Sequence, residues 1–529
     1  MPGPRRARRV AAGAALALAV TACTGGGGGH TAARGNVSVY ICEPQSLIPP
    51  NTSELCGSEV LASLFTPLVE YDPKTSALRY TGVAESIRSP DQKVWTITLK
   101  RGYTFHNGEP VDAASFARAW NAAAYGPNAY ANSYSFENVA GYDALQGTRP
   151  KAKTMSGLEV VDPTTLRVTL KAPFSQFPVT LGYTAFYPLP KVFTDDPKKF
   201  GTAPVGNGPF RMDGTWQHDQ RITVRRYDDY AGDKAKVAGA TFTIYSNINT
   251  AYNDLLGGNL DIMDELPAER IPAARSQFGD RFIDQPNSEF AYLGYPLYDP
   301  QFRNPDLRRA LSMAIDRKAI IDAIFHGAYT PATSVVSPLF EPGQQDPCGQ
   351  SCRFDPARAK QLYDRAGGYS GTLTLWFNSG AAHEKWMEAV ANQLRTNLGI
   401  TDVRFRSLEF PQYLARIDAD QMTGPFRLSW VADYPSAQNY LEPLYTTRGS
   451  ANDFRYSNPR VDRLIAAGNA AGSVAAGGQR YQEAERLVLA DMPTIPLWFE
   501  RTQAAHSDRV GNVVIDAFVR IRLADVTVR

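Results

Sequence analysis

The alternation of strand-type and helix-type segments constrains the fold of this chain more than any other feature of its sequence. Runs rich in β-branched and aromatic residues recur at 94–100, 166–172, 221–227, 241–245, 372–377 and 513–523. Amphipathic helical patterns lie between them, without an internal repeat. Strands that alternate with helices predict α/β lobes. A chain of 529 residues is longer than one ordinary domain, so we expect two or three lobes.

Four helices have recognisable ends. The first begins with Asn304 as its N-cap and Pro305 in its first turn, and its apolar residues recur with helical spacing. The next three close with glycine and occupy residues 318–327, 354–368 and 383–399. These signals are local, so they predict helix boundaries without knowledge of the tertiary structure.

The amino-terminal segment has the layout of a secretory signal peptide. Four arginines precede an apolar run of 11 residues, which is too short to span a bilayer. The sequence V-T-A-C that ends at Cys23 is similar to a bacterial lipobox, which implies cleavage after residue 22 and a lipid thioether on Cys23. An ordinary signal peptide and twin-arginine export are the alternatives.

We therefore assign residues 1–22 to a lipoprotein signal peptide and 23–36 to the lipidated cysteine and a glycine-rich tether. Acyl chains on Cys23 would anchor the protein to the outer face of the cell membrane. We expect no other membrane span, because no second run has about 18 consecutive apolar residues.

Charge balance argues against nucleic acid as a partner. The chain has 55 basic and 53 acidic residues, and removal of the four leader arginines leaves 51 basic residues, a net charge of −2. Nucleic-acid binding requires a basic face.

Four cysteines remain beside Cys23, an even number that predicts two disulfides outside the cytoplasm. Local pairing of Cys42 with Cys56 and of Cys348 with Cys352 is the simplest arrangement. A zinc site at C-G-Q-S-C is the weaker alternative, because no histidine lies near these two thiols.

The stretch FRLSWVADYPS, residues 426–436, places two charges within a strand-type run. Because strand side chains alternate, Arg427, Ser429, Val431 and Asp433 would share one face, with the two charges about 20 Å apart. A cation and an anion at opposite ends of a groove suit a zwitterionic ligand. Structural ion pairs with other protein residues are the alternative.

Motifs for catalysis and metal binding are missing from the sequence. It contains no G-x-S-x-G elbow and no phosphate-binding G-x-x-x-x-G-K-[ST] loop. His383-Glu384 begins like a zinc-peptidase helix, but position 387 is Met. We expect no catalytic residues, metal or cofactor; a lipid-anchored hydrolase that uses a carboxylate pair is the remote alternative.

Four segments in series resemble one protein family. They are LKRGYTFHNGEPVDAASFARAW (99–120), PVGNGPFRM (204–212), NPDLRRALSMAIDRKAIIDAIFHGAYTPATSVVSP (304–338) and DPARAKQLYDRAGGY (355–369). These segments are similar to extracellular solute-binding proteins of family 5, the peptide/nickel type of ABC importers. WVADYPSAQNYL, residues 430–441, resembles the oligopeptide-binding branch.

The resemblance implies an α/β, two-lobed clamshell of the periplasmic-binding-protein type with an extra subdomain in the first lobe. Lobe I would comprise 37–70, 190–285 and 497–529, the extra subdomain 71–189, and lobe II 286–496. The ligand would be enclosed at the hinge between the lobes.

The resemblance also implies roles for individual residues. Asp433 would bind the ligand's α-ammonium group, and Arg427 and His383 would lie at its carboxyl end, with Arg416 as a looser candidate. The peptide backbone would pair with the strand at 428–432, including Ser429 and Val431. Trp430 would either line a side-chain pocket or pack in the core. Three further tyrosines could line the cleft: Tyr40, Tyr134 and Tyr295. No local sequence pattern distinguishes them from the other tyrosines of the chain.

The function implied is capture of short peptides outside the membrane by closure of the lobes. The protein, a monomer on its own, would deliver them to ABC permease subunits driven by a separate ATPase. A sugar, a metal chelate or a signalling peptide is the alternative ligand, since a fold alone does not determine the ligand.

Overall fold

The computed structural model describes residues 35–340, 346–379 and 383–529. Cys23, its expected lipidation, the signal peptide and most of the tether lie outside these residues. The strands are β1 (Asn36–Ile41), β2 (Glu70–Tyr71), β3 (Leu78–Arg79), β4 (Ala84–Arg88), β5 (Val94–Leu99), β6 (Leu158–Asp162), β7 (Thr165–Thr169), β8 (Phe210–Met212), β9 (Arg221–Arg226), β10 (Gly239–Ile244), β11 (Ile262–Met263), β12 (Phe282–Gly294), β13 (Thr330–Pro331), β14 (Leu373–Asn378), β15 (Val403–Leu408), β16 (Phe426–Trp430), β17 (Thr494–His506), β18 (Val510–Gly511) and β19 (Thr527–Val528).

The helices begin and end close to the positions that their caps predict. They are α1 (Leu55–Leu64), α2 (Ala113–Ala124), α3 (Phe177–Thr180), α4 (Val192–Asp195), α5 (Pro197–Thr202), α6 (Ile248–Leu256), α7 (Ile271–Phe278), α8 (Pro305–Met313), α9 (Arg317–Ile324), α10 (Pro356–Arg365), α11 (His383–Leu398), α12 (Phe410–Asp418), α13 (Gln438–Tyr445), α14 (Pro459–Asn469) and α15 (Val474–Asp491). The Asn304 side chain caps α8 by accepting from the Asp306 N–H. Gly399, just after α11, has φ of 77°, which a residue with a Cβ adopts only with strain.

One large sheet of 11 strands has the order β15-β14-β16-β12-β17-β11-β1-β10-β9-β8, with β13 on β17. The two 13-residue strands β12 and β17 pair antiparallel in its middle. Their register shifts between Pro286 and Phe290. A separate antiparallel sheet, β4-β5-β7-β6, lies within residues 84–169.

Two hydrophobic cores hold these layers together. One consists mainly of side chains from 251–499, and the other of side chains from 37–242 and 504–526. Strand β17 contributes to both, with Trp498 in the first core and Ala504 in the second. The long β12–β17 ribbon is therefore the covalent and hydrogen-bonded link between the two cores.

The structure contains the two local disulfides, Cys42–Cys56 and Cys348–Cys352, each with a Cα–Cα distance of 5.7 Å. Within the described ranges, the one group of potential metal ligands is Cys42, Glu54 and Cys56. Its two cysteines are bonded to each other and offer no thiolate. No helix in the same ranges is both long and apolar enough to cross a membrane.

Two strand predictions were wrong. Residues 513–523 form a turn with a single bridge between Ile515 and Ile521, because the Asp516 side chain accepts from backbone N–H groups inside the turn and pairs with Arg520. Strand β16 ends at Trp430, so Asp433 lies beyond the strand and the separation of about 20 Å from Arg427 does not apply.

Candidate functional site

Asp433 lies in the bend between β16 and α13. Its backbone N–H donates to the Asn439 side-chain oxygen at 2.8 Å, and Asn439 Nδ2 donates back to the Asp433 carboxylate at 3.2 Å. The Tyr134 hydroxyl donates to the same carboxylate at 3.1 Å. Asn439 is in the first turn of α13, so the helix that follows the bend positions the carboxylate.

The charge of Asp433 is not neutralised by the protein. Burial raises the pKa of its carboxyl group, and hydrogen bonds from Asn439, Tyr134 and Tyr183 offset only part of that effect. Across the described ranges, no ion pair forms on Asp433. A carboxylate without a cation is costly to remove from water, so this position favours a ligand that brings a positive charge.

Strand β16 offers part of an unpaired edge next to Asp433. On one side, five residues of β16 pair antiparallel with β12. On the other side, β14 pairs with β16 at Phe426 alone. Backbone groups of alternate residues point to opposite neighbours, so some of those in 427–430 face away from β12. The Tyr413 hydroxyl already donates to the Arg427 carbonyl oxygen at 2.9 Å, which leaves the groups beyond Arg427 for a ligand. An extended chain could add there as a strand.

Arg427 lies on β16 with its guanidinium largely buried, 14% exposed. It donates to Ser429 Oγ at 3.1 Å and to Asn378 Oδ1 at 3.4 Å. Its Nη2 is 4.0 Å from the Glu289 carboxylate. Arg427 thus already has an acidic neighbour, which is one of the alternatives that the sequence left open.

More acidic groups gather around Glu289. Burial raises the pKa of Glu500 well above its usual range, the charge of Glu289 raises it further, and Arg427 lowers it. Burial and the charge of Glu265 raise the pKa of Asp264 to about 7. The Glu265 side chain is exposed at its surface, yet its packed surroundings and the charge of Glu289 also raise the pKa of its carboxyl group. Arg427 therefore faces several carboxylates.

His383 is the first residue of α11 and is 7% exposed. Its Nδ1 accepts from Trp386 Nε1 at 3.2 Å, which assigns the imidazole hydrogen to Nε2. Burial, with a smaller effect of the Arg427 charge, lowers the pKa of His383 to about 3. His383 is therefore a neutral donor near Arg427.

The remaining candidates have diverse surroundings. Trp430 is half-buried, and its indole N–H is buried without an acceptor in the part of the chain that the structure describes. Val431 is half-buried just beyond the end of β16. Arg416 lies over the Trp376 ring, 5.2 Å from its centroid, where it packs against an aromatic surface.

Sequence reasoning did not single out the two residues that hold Asp433. Tyr134 is 299 residues from Asp433, and no local pattern marks it among the chain's tyrosines. Asn439 is six residues away, where a polar residue after a bend and before a helix is a recognisable cap-like signal. Tyr295, by contrast, is fully buried and donates to the Arg308 carbonyl oxygen, so it belongs to the core.

Two cores joined by a long ribbon, with a polar site beside an unpaired strand edge, define the class of two-lobed solute-binding proteins. The family model described as "Bacterial extracellular solute-binding proteins, family 5 Middle" matches residues 80–452. The chain belongs to this family.

Relatives cover nearly the whole chain. The dipeptide-binding protein DppE of Bacillus subtilis is 28% identical over 94% of each chain. The Escherichia coli murein tripeptide binding protein MppA has a TM-score of 0.79 at 23% identity, covering 93% of this chain and 98% of its own. The Haemophilus influenzae OppA complex with the peptide RPPGFSPFR has a TM-score of 0.76 at 24% identity, covering 93% and 99%. These structures confirm the α/β, two-lobed clamshell fold.

Proposed function

We propose that this protein captures short peptides with a free amino terminus outside the membrane and delivers them to ABC permease subunits that a separate ATPase drives. The observation that carries the proposal is Asp433, a carboxylate that accepts hydrogen bonds from Tyr134 and Asn439 but pairs with no cation among the residues that the structure describes. A peptide ammonium group supplies that cation. The relatives are solute-binding proteins, so we propose no catalysis.

The unpaired part of the β16 edge supports a peptide rather than a compact solute. The ligand backbone adds to residues 428–431, and main-chain hydrogen bonds of this kind tolerate many side chains. Two relatives support the same class of ligand, since MppA is a murein tripeptide binding protein and OppA forms a complex with RPPGFSPFR.

The carboxyl end of the peptide lies at Arg427 and His383. Both side chains offer N–H donors, and Arg427 has the planar fork that fits a carboxylate. Arg416 takes no part, because it packs on Trp376.

Closure of two lobes encloses the ligand. The two hydrophobic cores support two lobes. We propose boundaries of 37–70, 190–285 and 497–529 for the first lobe and 286–496 for the second, with 71–189 as the extra subdomain. Side chains from 251–278 pack with the core of the second lobe, although these boundaries assign them to the first. The register shift in β12 supports a hinge between 286 and 290. The ligand stabilises the closed state by binding it better than the open one.

Native mass spectrometry of residues 24–529, before and after acid release of bound ligand, tests the proposal. We expect co-purified masses that fragment as peptides, and their loss in Asp433→Asn. The matched control is Asp453→Asn. Burial also raises the pKa of the Asp453 carboxyl group, which lies near Asp418 and Asp420. Peptides that stay bound to Asp433→Asn would contradict the amino-terminal anchor.

Lipidation of Cys23 is part of the proposal. It would anchor the protein to the outer face of the cell membrane. Cells that express the full chain are fractionated by detergent phase separation. The protein should enter the detergent phase, and Cys23→Ser should shift it to the aqueous phase. Equal partition of both proteins would contradict the anchor.

A ligand without a free carboxylate is the second candidate. The acids around Arg427 favour it, because they already offer that cation a negative neighbour. Peptides with free and amidated carboxyl ends separate the two candidates, since only the first candidate requires the free form to bind more tightly.

A further inference from the structure

A cavity of about 280 Å³ adjoins Asp433, and none of the acids near Arg427 is among its lining residues. Its floor includes Asp433 and Trp430, and its apolar walls include Phe174, Phe177 and Pro443. The two phenylalanines are 6% and 3% exposed, so the walls are part of the packed protein.

The charged groups of this cavity are mostly negative. Asp433, Glu137 and Glu442 line it, and Arg448 is the one cation among its lining residues, an exposed side chain at the rim. Three carboxylates and one guanidinium give a net charge of −2. Lys171, which also acts on Glu137, is 2.8 Å from Asp143 and paired with it.

Glu442 is held in place by neighbours that carry no charge. Asn469 Nδ2 donates to its carboxylate at 2.9 Å, and Gln438 Nε2 donates to the same oxygen. The Tyr434 hydroxyl donates to Gln438 Oε1 at 2.5 Å, which fixes that amide. Glu137 and Glu442 line the same cavity, and burial and the charge of Glu442 raise the pKa of Glu137, while the charge of Lys171 lowers it.

Asp433 and Glu442 line the same cavity, and α13 carries both Glu442 and the asparagine that binds Asp433. Asn439, which binds Asp433, and Glu442 are three residues apart on α13, so their side chains lie on one helix face about 5–6 Å apart. A lysine side chain carries its cation on a four-carbon stem, which packs on apolar walls along its length. Trp430 also lines this cavity, and its buried indole N–H has no acceptor among the described residues.

We propose that the cavity takes the side chain of the ligand's first residue and selects one that ends in a cation, as in lysine, ornithine or arginine. This inference rests on the proposed function, in which Asp433 binds the α-ammonium group. The α-ammonium would pair with Asp433 and the side-chain cation with Glu442 and Glu137, while the stem contacts Phe174 and Phe177.

Isothermal titration of residues 24–529 with four ligands tests the inference. They are lysyl-alanyl-alanine, norleucyl-alanyl-alanine, alanyl-lysyl-alanine and cadaverine. We expect the first to bind about tenfold more tightly than the second, because a charge-assisted hydrogen bond to a partly buried carboxylate is replaced by a methyl group. We expect alanyl-lysyl-alanine to bind no more tightly than norleucyl-alanyl-alanine. We expect cadaverine to bind more weakly than lysyl-alanyl-alanine.

Glu442→Gln should reduce the ratio of lysyl to norleucyl affinity toward one, and Glu483→Gln, an exposed control on α15, should leave it unchanged. If Glu442→Gln fails to fold, Glu137→Gln is expected to reduce the same ratio. Equal affinity of the parent protein for lysyl-alanyl-alanine and norleucyl-alanyl-alanine would overturn this inference but not the proposed function. Cadaverine binding as tight as the lysyl peptide overturns it in favour of a diamine solute. Failure of every peptide to bind overturns the proposed function as well.

Discussion

At the scale of single residues, Asp433 combines a cost to the ligand-free protein with a gain on binding. Its carboxylate accepts from Tyr134 and Asn439, yet burial still raises its pKa. Because the folded protein favours the neutral carboxyl, its ionised form at neutral pH lowers the stability of the empty site. A ligand ammonium group relieves this cost, so affinity and stability are coupled at one side chain.

Asp433→Asn should therefore separate the two properties. We expect the ligand-free melting temperature at pH 7 to rise by about 1–3 °C and peptide affinity to fall at least about tenfold. Differential scanning calorimetry and isothermal titration measure them. Asp453→Asn, the control, should keep the affinity of the parent. A lower melting temperature for Asp433→Asn would show that its hydrogen bonds outweigh the cost of burial.

Substitution of Glu289 tests whether Arg427 binds the carboxylate of the ligand. The two side chains are 4.0 Å apart and 14% and 20% exposed, so Glu289 competes with a ligand carboxylate for the guanidinium. Glu289→Gln should raise the affinity of a peptide with a free carboxyl end by roughly two- to fivefold. An amidated peptide, titrated in parallel, should show no change. Weaker binding of the free form would show that Glu289 orients Arg427 instead.

At the scale of elements, β16 and the two disulfides show how short segments place the site. Strand β16 is covered by β12 along its length and by β14 at Phe426 alone, which leaves backbone groups for a ligand. The disulfide Cys42–Cys56 ties the segment after β1 to helix α1, and Cys348–Cys352 closes a single turn. Both bonds are local, but they close loops of different length. They therefore constrain the unfolded chain to different extents.

Removal of the disulfides should reveal that difference. The sequence separations are 14 and 4 residues, so loop-closure entropy predicts a loss of about 3 kcal/mol for Cys42→Ala with Cys56→Ala. The loss for Cys348→Ala with Cys352→Ala should be about 2 kcal/mol. Urea unfolding measures both. The reverse order would point to native-state contacts of Cys348 and Cys352, which are both buried.

At the scale of the whole molecule, two half-buried acids, Asp264 after β11 and Asp453 after α13, make the free energy of unfolding depend on pH. The pKa of Asp264 is raised to about 7 and that of Asp453 to about 6, both mainly by burial. In the unfolded chain, an aspartate has a pKa of about 3.9. Between these values the folded protein binds more protons than the unfolded one, so each group lowers the free energy of unfolding as pH rises.

Asp264→Asn should gain stability relative to the parent as pH rises from about 4 to about 7, with no further gain above that range. Asp453→Asn should reach its plateau about one pH unit lower. His106 and His383 have lowered pKa values, which change stability with pH in the opposite direction. Their contribution is the same in the parent and in each variant, so it cancels when the two free energies of unfolding are subtracted. Urea unfolding at several pH values measures it, and a pH-independent difference would contradict the assignment.

Local features and family membership could be predicted from the sequence alone. Caps at Asn304 and Asp355 predicted helices α8 and α10, because capping depends on residues within one turn. Even cysteine count and short spacing predicted both disulfides. The motifs of the chain also predicted the α/β clamshell, since a family's sequence pattern carries its fold.

The surroundings of the candidate charges could not be predicted from the sequence, because they depend on the tertiary structure. Tyr134 reaches Asp433 across 299 residues, and Glu289 reaches Arg427 from a neighbouring strand. The end of β16 at Trp430 and the turn at 513–523 were equally hidden, because the same β-type residues suit a strand or a buried turn. Such contacts depend on which distant segments pack together, and strand-type periodicity carries no record of that partner.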